Sequence, residues 1–361
     1  MKILEIIPQL SQGGAERFVV DLCNELVHKH EVILIVLHSI DKTGFFAEEI
    51  NQKVTVVSMN KCSGIDIGLF FRLKKLIHKY KPDVVHTHLR GIVYCFLAYL
   101  NNSRIKFIHT VHSDAAKEAG RGISKWCREF AFKTGRVTPV AISEESQSSF
   151  VKFYGITPSL IYNGRPEYNE TSQITAVKKE LEDLKASNDS TLIVNIARFS
   201  PEKNQLSLAN AIISVNKTGK KLDLVIVGRE DDKIAPEIRR MNSKHVHLLG
   251  TRTNPRDYMK ATDAFCLSSV YEGMPITLIE CFSVGAIPIS TPVGGIINMI
   301  EDGVNGILAK GTSEDDIYEA LMRFMNMSDT EKLTMHKASL TSFYKYGIEN
   351  CADNYVKVMS K

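Results

Sequence analysis

Residues 2–38 read KILEIIPQLSQGGAERFVVDLCNELVHKHEVILIVLH. KILEIIP is a short, nearly continuous apolar run of strand length. AERFVVDLCNELVHK places its apolar residues at helical spacing, and HEVILIVLH returns to an unbroken apolar run. A strand, a helix and a second strand in this order form a βαβ unit with parallel strands. Gly13 and Gly14 sit at the join between the first strand and the helix. Glycine there lets backbone N–H groups come close to a phosphate at the positive end of a helix. The dinucleotide fingerprint GxGxxG is absent, which argues against a nicotinamide oxidoreductase.

The same alternation continues outward. KVTVVSM (53–59), DVVHTH (83–88), KFIHTVH (106–112) and TPVAIS (138–143) read as further strands of one sheet. Such unbroken apolar runs are expected when helices cover both faces of a sheet. A polar, weakly patterned segment from about Arg165 to Ser190 reads as a linker with a lead-in helix. The pattern then restarts with TLIVNIAR (191–198), LDLVIVG (222–228), HVHLLG (245–250), DAFCLSS (263–269) and AIPIS (286–290). The fold class is α/β, with two Rossmann-like domains of parallel strands, and 361 residues suffice for both.

Composition is that of a globular protein, 44% hydrophobic and 24% charged. The longest apolar run, Ile92 to Leu100, is far shorter than the ~20 residues that span a bilayer. No basic leader precedes an apolar core, so no signal peptide is expected. The seven cysteines are scattered without a CxxC pair, which predicts reduced thiols in a cytoplasmic protein and no zinc site. The net charge of +4 is too mild for a nucleic-acid protein. It is unevenly placed: residues 1–170 hold 22 Lys and Arg against 17 Asp and Glu, and eight of the eleven histidines. A basic first half suits an anionic lipid or an anionic acceptor.

The chemistry concentrates in residues 271–295, YEGMPITLIECFSVGAIPISTPVGG. Glu272 and Glu280 are separated by seven residues, with Gly273, Met274 and Pro275 after the first. A loop carboxylate accepts hydrogen bonds from hydroxyls, and a bare helix N-terminus presents N–H groups to an anion. A second carboxylate two turns in can reach a ribose diol, and in an apolar helix Glu280 needs a partner. Together these are grips for a sugar, a phosphate and a ribose. In ARFSPEKN (197–204), Arg198 ends a strand and Lys203 lies just beyond, at the edge where open α/β sheets collect ligands. Two cations there can stabilise a departing diphosphate without a metal. In HTVHS (109–113), His112 ends a strand and can hydrogen-bond a hydroxyl or assist proton movement. His86 and His88 form an HxH pair for which spacing identifies no third metal ligand. Glu230, Asp231 and Asp232 come near a DxD motif but read as a polar loop.

This ordered set resembles the retaining glycosyltransferases of family four, which have the GT-B fold of two facing Rossmann-like domains with an interdomain cleft. SQGGAER (11–17), HTVHS, IYNG (161–164), ARFSPEKN and the Glu-x7-Glu element occur in the family's order along most of the chain. The resemblance implies an acceptor-side domain over residues 1–168, with a C-terminal helix in 345–361 packing back on it, and a donor-binding domain over 169–344. It assigns catalytic roles to Arg198, Lys203, Glu272 and His112. Gly14, Thr251, Arg252, Gly273, Met274, Pro275, Ile276, Thr277 and Glu280 would bind the donor, with Thr251 and Arg252 bordering the nucleobase. Glu16 and Arg17 would orient the acceptor or its loop, and Asn163 and Gly164 would be structural at the crossover. The implied activity is metal-independent transfer of a hexosyl or N-acetylhexosaminyl group, from a UDP-sugar rather than a GDP-sugar, to a lipid-linked glycan. Bacterial capsule or exopolysaccharide assembly at the inner face of the cytoplasmic membrane is the implied setting. No cofactor is expected beyond the nucleotide sugar as co-substrate.

Two segments have the texture of membrane-surface helices. Ile67 to Lys81 mixes Leu69, Phe70, Phe71 and Leu73 with Arg72, Lys74, Lys75 and Lys79, and Lys117 to Arg136 combines Trp126, Phe130 and Phe132 with six basic residues. Such helices lie in a lipid interface or bury their stripe in a domain core. Rival readings are a nucleotide-sugar epimerase of the same fold and a non-catalytic subunit that binds a sugar nucleotide. The joint presence of Arg198, Lys203, Glu272 and Glu280 speaks against the second.

Overall fold

A computed structural model describes every residue except Ser63, Ser103, Asp231 and Asp232, and every other side chain except those of Lys42, Thr43 and Asn101. The Asp231 and Asp232 of the acidic loop therefore lie outside the described residues. The chain forms two units, Met1–Pro166 with Tyr346–Lys361, and Glu167–Lys345.

The first unit is built on seven parallel strands: β1 (Lys2–Ile7), β2 (Glu31–Val36), β3 (Thr55–Ser58), β4 (Val84–His88), β5 (Lys106–Val111), β6 (Thr138–Ala141) and β7 (Ser159–Leu160). Their order is β3-β2-β1-β4-β5-β6-β7. The second unit has six parallel strands: β8 (Thr191–Ile196), β9 (Leu222–Val227), β10 (Val246–Gly250), β11 (Ala264–Leu267), β12 (Ile287–Ser290) and β13 (Ile307–Leu308), in the order β10-β9-β8-β11-β12-β13. Each sheet winds outward in both directions from its middle, so strand order reverses once, between β1 and β4 and between β8 and β11. At such a reversal the loops leave toward opposite faces and a crevice opens at the strands' carboxyl ends. The two-residue strands β7 and β13 were not foreseen, since two residues carry no period.

In the first unit, Leu4, Ile6, Ile33, Ile35 and Val85 meet Leu69, Leu73 and Ile77 of the helix Ile67–Tyr80. That helix starts where the Asp66 carboxylate accepts from the N–H of Leu69 (3.0 Å), and it ends at Lys81, whose φ of 48° precedes Pro82. The helix Gly14–Leu26 buries Phe18, Val19, Leu22, Cys23 and Leu26 along one stripe. In the second unit, Leu208, Ile212 and Val215 of the helix Gln205–Lys217 pack with Ile193, Leu224 and Ile226 of the sheet. The polar stretch after Arg165 does contain a helix, Ile174–Leu184, held by Val177 and Leu181.

The C-terminal helix Ile348–Met359 belongs to the first unit. Arg165 and Gly347 form a bridge, with the N–H of Arg165 on the carbonyl of Tyr346 (2.9 Å) and the N–H of Ile348 on that of Arg165 (2.9 Å). Gly164 makes this approach possible, because a Cβ there would lie 2.7 Å from Cβ of Cys351 and 2.9 Å from Cα of Ile348. Asn163 is buried beside it. Overpacking of this kind costs about 1–3 kcal/mol, so Gly164→Ala is expected to lower the unfolding temperature. Gly68→Ala, where a Cβ meets nothing closer than 3.4 Å, is expected to hold or raise it. Equal melting of the two variants by calorimetry would refute the close-approach argument.

Candidate functional site

In the second unit, three loops leave the carboxyl ends of adjacent strands and are stitched together. After β8 the chain passes Arg198, turns through Pro201–Lys203 and reverses at Asn204, whose φ is 53°. Asparagine tolerates that left-handed conformation. The loop rides on the one after β9: the N–H of Phe199 donates to the carbonyl of Arg229 (2.9 Å), and a Cβ on Gly228 would lie 1.9 Å from the carbonyl oxygen of Ala197. Gly228 therefore sets the height of the Arg198 loop, a role that only the folded contact reveals.

The loop after β11 is held from two sides. The N–H of Val270 donates to the carbonyl of Glu202 (2.8 Å), and the Ser268 hydroxyl to that of Lys203 (2.8 Å). From the β12 side the Thr291 hydroxyl donates to the carbonyl of Ser269 (2.5 Å), and the N–H of Gly295 to that of Gly273 (2.8 Å). These bonds bring Lys203 Nζ to 2.6 Å from Oε1 of Glu272, which also accepts from the Ser269 hydroxyl at 2.6 Å. The Glu272 side chain is 8% exposed and that of Lys203 22%. The cation and the acid singled out separately in the sequence thus face one another across the strand-order reversal. The Arg198 side chain is exposed on the same loop, and its guanidinium has no hydrogen-bond or ion-pair partner among the described residues.

Gly273 and half-buried Thr277 flank buried Met274, Pro275 and Ile276. The helix Ile276–Val284 begins after Pro275 with no side chain capping it. Its first N–H groups point out of the helix end, the arrangement that suits an anion. Glu280 is 5% exposed. It lies about one turn into the helix rather than two, because Pro275 is still extended and delays the helix start.

Arg252 is held by several neighbours. Its guanidinium donates to the carbonyl of Leu249 (2.5 Å), the Tyr258 hydroxyl (2.9 Å) and Glu180 (2.9 Å), and the Tyr258 hydroxyl itself donates to Glu180 (2.5 Å). These contacts tie the loop after β10 to the helix Ile174–Leu184. They engage the guanidinium within the second unit, whereas Thr251 beside it is exposed. Of the acidic loop, Glu230 pairs with Arg239 at 2.6 Å.

In the first unit the reversal lies between β1 and β4. Gly14 opens its helix, and a Cβ on Gly13 would fall 2.3 Å from Oε2 of Glu16, the movable end of a side chain. Glu16 curls back over the helix start and accepts from the Ser11 hydroxyl (3.0 Å). Arg17 is bound to Asp21 (2.5 Å) and to Glu49, which ties the helix start to the loop at Glu49.

His112 follows β5 and is gripped on both sides. Its backbone N–H donates to Oε2 of Glu118 (2.9 Å), and the other oxygen of that carboxylate accepts from Arg128 (3.0 Å). Its ring Nε2 lies 2.9 Å from Nδ1 of His88, and Phe18 meets the ring edge-on. His86 and His88 do acquire a third companion, Glu5 of β1, and the three ligand atoms lie within 4.8 Å of one another. Glu5 is 81 residues before His86, so spacing could not find it; the register Glu5↔His86 does. All three side chains are fully buried, and each nitrogen and oxygen is engaged in hydrogen bonds.

Burial pushes the imidazoles of His86, His88 and His109 down, and His112 down to about 4. Glu118 is also desolvated, but its bonds to His109 and Arg128 prevail and hold it at about 2. Burial moves Glu5 the other way, upward. Imidazoles that stay neutral when folded bind fewer protons than in the unfolded chain, so stability rises with pH across that window. The first unit should therefore lose stability as pH falls from the ordinary imidazole value of 6.5 toward 4, and further toward 2 as Glu118 titrates. Raised Glu5 opposes this with a single group. Thermal unfolding followed by Trp126, the chain's one tryptophan, measures the effect, and a flat profile below pH 6.5 would contradict it.

Residues 12–166 match the family described as Glycosyltransferase Family 4, and residues 177–339 match Glycosyl transferases group 1. An Escherichia coli relative, UDP-Gal:alpha-D-GlcNAc-diphosphoundecaprenol alpha-1,3-galactosyltransferase, is 28% identical over 274 residues, which is 72% of this chain and 70% of the relative. A Campylobacter jejuni relative is named GalNAc-alpha-(1->4)-GalNAc-alpha-(1->3)-diNAcBac-PP-undecaprenol alpha-1,4-N-acetyl-D-galactosaminyltransferase. It is 24% identical over 369 residues, 94% of this chain and 92% of its own. The crystal structure of Anabaena Alr3699/HepE in complex with UDP superposes with a TM-score of 0.81 over 100% of both chains at 18% identity, and so shares the fold. With two parallel, doubly wound sheets, the GT-B architecture and a family match in each half, the chain belongs to the family-four, group 1 glycosyltransferases.

Proposed function

We propose that this glycosyltransferase moves a hexose or N-acetylhexosamine, with retention at its anomeric carbon, from a UDP-sugar to a lipid-linked saccharide in surface-polysaccharide assembly. The observation that carries this reading is the Lys203–Glu272 pair at the strand-order reversal, with Arg198 exposed on the same loop. The names of the two relatives support the acceptor class, since both act on undecaprenyl-diphosphate glycans. The UDP bound to the Anabaena protein supports the nucleotide.

In this proposal the second unit holds the donor. Glu272 accepts from sugar hydroxyls, the start of the helix Ile276–Val284 meets the β-phosphate, and Glu280 takes the ribose. The bond from C1 to the phosphate oxygen breaks, and its electron pair stays on the phosphate. The acceptor oxygen bonds to C1 on the same face, and its proton passes to the leaving phosphate. Arg198 and Lys203 neutralise the charge that develops, fixed in place before reaction. No metal takes part in this scheme. Removal of one fixed charge of this kind costs about 100-fold or more in kcat. Arg198→Ala should lose that much transfer while its unfolding temperature stays unchanged, and wild-type transfer should persist in excess chelator. Near-normal turnover by the variant would sink the leaving-group role, and loss of activity rescued by a divalent ion would sink the metal-free scheme.

The proposed setting is the cytoplasmic face of the membrane. No helix among the described residues is long and apolar enough to cross a bilayer. The first unit exposes Ile67 (70%), Phe71 (62%), Ile123 (66%) and Trp126 (54%) on two helices, with Arg72, Lys75, Lys79, Arg121 and Lys125 exposed around them. Phe70 packs on Tyr94 at 5.0 Å and Trp126 on Phe96 at 5.3 Å, so residues 94–96 link the two apolar clusters. Bulky apolar side chains ringed by cations suit an anionic lipid surface. Vesicles containing phosphatidylglycerol should sediment the protein, and Phe71→Asp with Trp126→Asp should weaken that binding about tenfold or more. Equal sedimentation of the double variant would remove this surface.

A further inference from the structure

The first unit contains an unbroken hydrogen-bonded chain from the C-terminal helix to His112. The Tyr355 hydroxyl lies 2.8 Å from Oγ1 of Thr110, and Thr110 Oγ1 lies 2.8 Å from Nε2 of His86. His86 Nδ1 lies 3.1 Å from Oε1 of Glu5, and Oε2 of Glu5 lies 2.9 Å from Nε2 of His88. His88 Nδ1 then lies 2.9 Å from Nε2 of His112. Glu5, His86, His88 and Tyr355 are all 0% exposed. The alternation of a strand puts His86 and His88 on one face of β4, and the register puts Glu5 and Thr110 on that same face.

With Glu5 ionised, proton bookkeeping gives this chain one direction. An ionised carboxylate only accepts. Glu5 therefore takes the Nδ1 proton of His86 and the Nε2 proton of His88. Both rings are then neutral, with one lone pair each. Nε2 of His86 accepts from Thr110, whose oxygen accepts from Tyr355. Nδ1 of His88 accepts from Nε2–H of His112. Each ring nitrogen of His86 and His88 thus has a partner, and Oε2 of Glu5 lies 2.9 Å from both His86 Nδ1 and His88 Nε2. What remains at the open end is Nδ1 of His112, which has no hydrogen-bond partner among the described residues. From the other side of the sheet, the Glu118–Arg128 pair holds the His112 backbone. The peptide and the ring are thus fixed by separate groups.

From this arrangement we infer that Glu5, acting through His88, is a positioning group that sets the tautomer and orientation of His112, so that His112 meets substrate as a hydrogen-bond acceptor at Nδ1. The consequence for catalysis rests on the reading of His112 as an active-site residue. The ring would accept a hydrogen bond from a hydroxyl of sugar or acceptor and would not donate one, while the reacting proton still passes to the leaving phosphate.

Nitrogen-15 NMR of the full-length chain labelled at histidine tests the tautomer directly, with the His112 signal assigned by its loss in His112→Gln. The expected result at neutral pH is a neutral ring protonated at Nε2. A ring protonated at Nδ1, or at both nitrogens, would overturn the inference, since Glu5 would then have to be a neutral donor or the chain broken. In His88→Phe the ring should show both tautomers, and kcat should fall about 100-fold, the loss that misplacement of a reacting group by about 1 Å produces, with KM for the sugar nucleotide unchanged. Turnover within threefold of wild type in His88→Phe would refute the positioning role. Normal transfer by His112→Gln would instead remove His112 from the active site and leave the tautomer measurement to judge the relay alone.

Discussion

Between the carboxyl ends of β8 and β11 the chain leaves the sheet toward opposite faces, and Lys203 and Glu272 meet at 2.6 Å in the gap. The carboxylate could not sit there alone. A carboxylate with 8% of its side chain exposed needs a donor, and Lys203 and Ser269 both supply one to the same oxygen. The pair in turn requires the bonds of the Val270 N–H and the Ser268 hydroxyl to the Glu202–Lys203 segment, and those require Gly228 to let the Arg198 loop lie low. The geometry on which the donor reading rests is therefore a consequence of sheet topology first and of side-chain chemistry second.

The first unit solves a different problem. Its sheet interior on one face is polar where a parallel sheet is normally apolar. Glu5, His86, His88 and Thr110 replace four apolar side chains, and the burial of such groups is tolerated only when each finds a partner. The C-terminal helix supplies the last one through Tyr355. The helix that returns after Lys345 thus contributes a group to the seam of the first unit. It also gives the approach at Gly164 its purpose, since the crossing of residues 163–165 over Cys351 fixes where the helix lands.

Both units place their chemistry at the same topological position. Gly13, Glu16, His88 and His112 gather near the β1–β4 reversal, as Lys203, Glu272 and the start of the helix Ile276–Val284 gather near the β8–β11 reversal. The repeated architecture read from the sequence is thus also a repetition of where polar groups gather. The polar content differs: cations and a bare helix end in the second unit, imidazoles and carboxylates in the first.

The alternation of apolar runs and helical spacing determined, on its own, that there are two parallel α/β units, and loop motifs such as ARFSPEKN determined which segments carry charge to the strand ends. Those features are local, and local period and composition encode them. The sequence could not determine that Glu5 joins His86 and His88, that Arg252 engages Glu180 and Tyr258, or that Gly228 sets the height of the Arg198 loop. Each depends on partners distant in the chain. Register sets the first, a helix docking 72 residues upstream sets the second, and close backbone or side-chain approach sets the third. Only packing in three dimensions brings those groups within hydrogen-bond reach.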